Sequence, residues 1–177
     1  RVLVPGDFEA AKAALRMAAA TPGPFYVRLG RETPLSVYDE PFEMDSPAFA
    51  RVLREGGDIS IMACGVEVGF ALRAAEALAA EGISAEVIDV MSIKPLAEDV
   101  LIASAAKTGC VLTVEEHGID GGMGSAVTEL LADKHPVRVN RLGMTGFGQS
   151  GTAAELLAHY GLDAAGIAAR VHEVLGR

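Results

Sequence analysis

Cysteine is scarce in this chain: Cys64 and Cys110 are the only two among 177 residues. Two cysteines cannot build a disulfide framework. Each sits in an apolar run, so both read as buried free thiols of a cytosolic protein. Long apolar runs are also missing. Nothing approaches the roughly 18–20 uninterrupted apolar residues of a membrane span, and no charged-then-apolar signal segment opens the chain. Positive charge is in deficit, with 15 Lys and Arg against 24 Asp and Glu and a net charge of −9. That balance argues against nucleic-acid partners and against adhesion to an anionic membrane, and it leaves room for a small local basic site. The first residue is not Met. The opening Arg1-Val2-Leu3-Val4-Pro5 reads like the middle of a strand, as in a piece of a longer sequence or a processed product.

What is present is apolar mass. Half of the residues are hydrophobic and the mean hydropathy is +0.31, enough to bury a core and to exclude a disordered chain. The length fits one compact domain, or one domain plus a piece of another.

Residues 1 to about 31 read as strand, helix, strand. Val2-Leu3-Val4 is the first strand, Asp7 caps a helix to about Ala20, and Phe25–Leu29 is a second β-rich run. A unit so small cannot cover both faces of a sheet, so it should lean on something outside this chain. Residues 32–57 hold Pro34, Pro41, Pro47, Gly56 and Gly57 without a sustained period, and read as a linker packed along a surface. Regular alternation follows. Strands are expected at 59–65, 85–90, 110–116 and 137–143. Helices are expected from Val68 to Ala80, from Pro95 to about Lys107, from Ser125 to about Asp133, and near 152–159 and 163–175. This alternation, with near-continuous apolar strands, predicts an α/β fold: a three-layer domain on a mostly parallel sheet of about five strands, preceded by a partial α/β unit.

Several segments carry possible chemistry. Gly118–Ser125 joins a strand end to a helix start, where free N–H groups can hold an anion. It lacks the Lys of a P-loop and the spacing of a dinucleotide fingerprint, so the simpler reading is close helix packing. Glu115-Glu116-His117 lies at a strand's carboxyl end, the edge where open α/β sheets bind ligands. Neighbours on a strand point to opposite faces, however, and cannot converge on one substrate. His135, His159 and His172 lie on polar stretches. Arg28 lies within the Tyr26–Arg31 run and Arg31 just past its strand, where a guanidinium can grip a phosphate through two N–H groups. No nucleophile elbow, CxxC or defensible Ser/His/Asp set is present.

Taken in order, six motifs resemble the transketolase family, and most of all the carboxyl-terminal subunit of two-part bacterial and archaeal transketolases. They are Val4-Pro5-Gly6-Asp7 with Glu9-Ala10; Tyr26-Val27-Arg28-Leu29-Gly30-Arg31; Val87-Ile88-Asp89-Val90 with Ile93-Lys94-Pro95; Thr113-Val114-Glu115-Glu116-His117; Gly121–Val127; and Phe147-Gly148-Gln149-Ser150-Gly151 followed by Tyr160-Gly161-Leu162. The segment Met144-Thr145-Gly146 before Phe147 looks one residue short of the family pattern and lacks its acidic residue.

The resemblance implies the end of a pyrimidine-binding domain at 1–36, a linker at 37–56 and a transketolase carboxyl-terminal domain at 57–177. It implies a cytoplasmic thiamine-diphosphate enzyme that transfers a two-carbon ketol unit between sugar phosphates. The cofactor and its divalent metal (Mg) would be held by an amino-terminal section or subunit and not by this chain alone. Arg31 is similar to the family's ligand of the substrate phosphate. No catalytic, cofactor or metal residue is assigned here; the chain would supply phosphate contact and assembly surface, homodimer contacts included, and be inactive alone. Two other readings stay open: a non-catalytic assembly or regulatory module, or an anion-binding domain using Gly121–Ser125. Deoxyxylulose-phosphate synthase and the β-subunits of 2-oxoacid dehydrogenases share the domain, but the Glu115–His117 and Arg28–Arg31 runs look less like theirs.

Overall fold

The structure is a computed structural model and describes residues 1–31 and 34–177. It begins with β1 (Val2–Leu3), α1 (Phe8–Ala20) and β2 (Tyr26–Val27). Asp7 starts α1 by accepting the Ala10 N–H at 2.9 Å, and Ala10, Ala13 and Ala14 form the buried face. β1 and β2 pair in parallel. The second apolar run keeps ladder pairing only over Tyr26–Val27, shorter than the run read from the sequence.

The second region holds β3 (Arg51–Arg54), β4 (Ile59–Ala63), α2 (Glu67–Ala80), β5 (Ala85–Asp89), β6 (Ser92–Lys94), α3 (Glu98–Thr108), β7 (Cys110–Gly118), α4 (Met123–Lys134), β8 (Arg138–Met144), α5 (Ala153–Tyr160) and α6 (Ala164–Leu175). Five strands form one sheet in the order β3-β5-β4-β7-β8. β5, β4, β7 and β8 are parallel and the edge strand β3 is antiparallel. Side chains alternate between two cores, as the period of a strand requires. Ile59, Ile61, Val87 and Leu112 meet α2 and α6 on one face. Met62, Ile88 and Val111 meet α3 and α4 on the other. The expected three-layer, mostly parallel α/β domain is therefore observed.

Three local features differ from the sequence reading. Residues 51–54, read as linker, form β3. β6 was not anticipated; it pairs antiparallel with β1, giving a second sheet of order β2-β1-β6. α3 begins at Glu98 rather than at Pro95, because the chain leaves β6 at Lys94 and Ala97 keeps non-helical dihedrals.

The stretch before β3 is fastened along its length. Val37 and Tyr38 N–H both donate to Asp7 Oδ2 at 2.8 Å. The Tyr38 hydroxyl donates to Asp89 Oδ2 at 2.8 Å. The Arg51 guanidinium lies 4.4–5.4 Å from the ring centroids of Tyr38, Phe42 and Phe49, within cation–π range. At the seam between the two regions, Gly65 N–H donates to Val4 O at 3.1 Å and Val4 N–H donates to Met91 O at 2.8 Å.

Candidate functional site

The carboxyl end of β7 sends its two glutamates in opposite directions, as strand geometry dictates. Glu115 turns inward and is buried. It accepts the Met123 N–H at 2.7 Å and the Gly124 N–H at 2.8 Å, so it caps α4 from a strand eight residues upstream. The α4 start has no side chain of its own for this, because its cap position is Gly122. Glycine is required there: a Cβ on Gly122 would collide with the Glu115 carboxylate, and one on Gly124 would lie 2.6 Å from Thr113 Oγ1. Arg141 closes the loop from the other side, donating to Ile119 O at 2.7 Å and Ser125 Oγ at 3.2 Å. The N–H groups that an external anion would need at this helix start are thus already held by Glu115. That overturns the anion-binding reading of Gly121–Ser125 and supports the packing one.

Glu116 turns outward. Arg28 Nη2 donates to its backbone oxygen at 3.1 Å and lies 3.5 Å from its Oε2. Arg28 is therefore a tie between the first region and the second. His117 is exposed, with Nδ1 3.2 Å from Gly118 O. Glu115, Glu116 and His117 do not converge. Among the described residues no group of three His, Cys, Asp or Glu side chains is arranged to hold a metal ion. Cys64 is buried and Cys110 half-buried; burial raises both thiols above their ordinary range, which leaves them protonated and poor nucleophiles.

Arg31 is placed differently from Arg28. With Gly30 it lines a cleft of about 660 Å³ whose other lining residues come mainly from α2 and the β8–α5 segment. The inner walls are apolar and include Leu35, Phe70, Met144, Leu156, Leu157 and Leu162, while Glu116, Gln149 and Tyr160 bring polar atoms. The Gln149 N–H donates to the Tyr160 hydroxyl at 3.0 Å, fastening the loop after β8 to α5. Size and lining are those of a small-molecule site with few polar groups.

Reading from the sequence missed one further group here. Glu67, in the first turn of α2, is fully buried, and neither carboxylate oxygen has a hydrogen-bond partner among the described residues. Burial, then the nearby Glu116 and Asp163 charges, push its pKa up to about 8. The helical period gave the signal, because Glu67 lies four residues before the buried Ala71 and seven before the buried Ala74.

Residues 49–167 match the family described as transketolase, carboxyl-terminal domain. This chain belongs to the transketolase family. It is 41% identical over 177 residues to the 6-deoxy-6-sulfo-D-fructose transketolase subunit SqwH of Clostridium sp. (strain MSTE9), a match covering 99% of this chain and 55% of that protein. A solved split-gene transketolase, described as an inactive beta4 tetramer, superimposes with a TM-score of 0.92 at 41% identity over 99% of this chain and 57% of that one. A 1-deoxy-D-xylulose-5-phosphate synthase from Syntrophotalea carbinolica (strain DSM 2380 / NBRC 103641 / GraBd1) is 46% identical over 149 residues, covering 83% of this chain and 23% of the synthase. The chain thus spans about half of the transketolase subunit it matches and a smaller share of the synthase.

Proposed function

We propose that this chain is the carboxyl-terminal part of a thiamine-diphosphate-dependent transketolase that moves a two-carbon ketol unit between sugar phosphates. The observation that carries this reading is the match along 99% of the chain to a transketolase subunit. Residues 1–36 are assigned to the end of the pyrimidine-binding domain, 37–56 to a connecting segment and 57–177 to the carboxyl-terminal domain. Thiamine diphosphate, when bound, supplies carbanion stabilisation. Glu115 fills the glycine-rich helix start, so this reading places the diphosphate and its Mg ion elsewhere. Both are assigned to an amino-terminal companion, in a cytoplasmic assembly with homodimer contacts. Phe8, Leu15, Tyr26 and Leu29, exposed apolar residues around α1 and β2, are the surface assigned to that companion.

Arg31 is assigned to the substrate phosphate. It follows a strand end, lines a cleft and belongs to the residue type that binds an oxyanion through paired N–H groups. The test is reconstitution with the companion and steady-state ketol transfer. The chain alone is expected to be inactive. Arg31→Ala is expected to raise KM for a phosphorylated donor roughly 10- to 100-fold, the effect of losing charge-assisted hydrogen bonds. Unchanged KM in that variant removes the assignment. The synthase match favours one alternative, that the chain is the equivalent section of a deoxyxylulose-phosphate synthase. Formation of deoxyxylulose phosphate by the reconstituted enzyme, without ketol transfer, would establish it.

A further inference from the structure

The loop after β8 and the end of α5 share a cleft with Arg31, although they come from the opposite end of the chain. Gln149 and Tyr160 both line it. The Tyr160 hydroxyl accepts the Gln149 N–H at 3.0 Å; acceptance leaves its own proton free to donate. The Gln149 side-chain amide has no hydrogen bond of its own among the described residues, so its two N–H donors are available. The start of α5 offers nothing comparable, because Thr152 and Glu155 already cap it reciprocally. The rest of the lining is largely apolar, with Leu156, Leu157 and Met144 beside Glu116. A guanidinium, a phenol and a primary amide that line one cleft are the charged and neutral donors that a tetrahedral oxyanion takes up.

We propose that Gln149 and Tyr160 are specificity-determining residues that complete the pocket for the donor sugar's terminal phosphate opposite Arg31. This rests on the reading of Arg31 as the phosphate ligand. It extends that reading to the carboxyl-terminal domain, which thereby takes part in choosing substrate as well as in assembly. It also gives a role to the segment around Phe147, whose spacing departs from the family pattern.

The test uses the enzyme reconstituted with its amino-terminal companion and a matched pair of donor ketoses, one phosphorylated and one not. Gln149→Leu keeps the backbone N–H that fastens the loop and removes only the amide. Tyr160→Phe keeps the ring and removes the hydroxyl. Each is expected to raise KM for the phosphorylated donor about tenfold, the value of one hydrogen bond to a charged group, and to lower the preference for phosphorylated over unphosphorylated donor by a similar factor. kcat should move much less than KM. If Arg31→Ala raises KM and neither of the other variants does, the inference is overturned and the Arg31 assignment stands. Equal losses for both donors overturn it too, because they report a loop that shapes the site without touching phosphate. If Arg31→Ala itself changes nothing, the phosphate reading fails and this inference falls with it.

Discussion

The first 31 residues and the five-stranded domain are both built from strands and helices, yet they differ in how completely their faces are covered. In the domain, β4, β5 and β7 lie between two helical layers, and the large side chains of both cores are inaccessible. In the first region α1 buries only the alanine side of the helix, and four of the five large exposed hydrophobics among the described residues, Phe8, Leu15, Tyr26 and Leu29, lie in or beside α1 and β2. The local chemistry is sound in both, as the Asp7 cap shows. The difference lies in packing partners. Residues can form correct local structure while leaving an apolar surface exposed, so stability and assembly should respond to different substitutions.

The sharpest way to break this contrast is a pair of truncations. Leu112→Ala empties part of the domain core and should cost about 2–5 kcal/mol, read as a lowered urea midpoint. Phe8→Ser should shift the same midpoint by no more than about 0.5 kcal/mol while weakening capture of the amino-terminal companion. Similar midpoints for the two variants would mean that both regions are equally self-contained.

Glu67 tests the seam. Its carboxyl keeps its proton in the folded chain up to about pH 8, and buried Asp89 keeps its own up to about 7, in both cases chiefly because burial disfavours the charge. Between the ordinary carboxyl range and these values the folded state binds more protons than the unfolded chain, so stability falls as pH rises through that window. Glu67→Gln removes one of the two contributions. The variant should match the parent near pH 4 and exceed it by about 5 kcal/mol at pH 9, read from paired denaturation curves. A constant offset across pH would show that Glu67 does not titrate in this window.

The smallest effect is expected at Arg28. Its contact with Glu116 is partly exposed, so Arg28→Ala should cost about 0.5 kcal/mol. Its signature is local: faster amide exchange at residues 26–31 with the domain core unchanged. Uniform acceleration would mean that the two regions open as one unit.

How far the sequence revealed this structure follows from where each interaction originates. β4, β5 and β7 were legible because burial on both faces makes them continuously apolar. β3 was not, because Arg51 and Arg54 bracket only two apolar residues on an exposed edge, amid prolines and glycines that signal turns. β6 is three residues long and exists through pairing with a strand some 90 positions earlier. Arg31 stood out in the sequence as a basic residue beyond a strand end, and the structure puts it four residues after β2, in the lining of the cleft. Glu115 as the cap of α4, and Gln149 and Tyr160 as neighbours of Arg31, depend on contacts between distant segments, and no local pattern encodes them.

The double membership of residues 51–54 and 92–94 bears on how this polypeptide can be divided. β6 follows β5 in the chain but takes its hydrogen bonds from β1, and β3 precedes the expected boundary at 57 but edges the large sheet. Cutting there would strip the β1 partner from β6 and the β3 partner from β5 in one step. The excised piece would carry two raw strand edges, the kind of surface that templates self-association. Soluble production of the carboxyl-terminal domain therefore calls for retaining residues well before 51, together with the strand that begins at Val2.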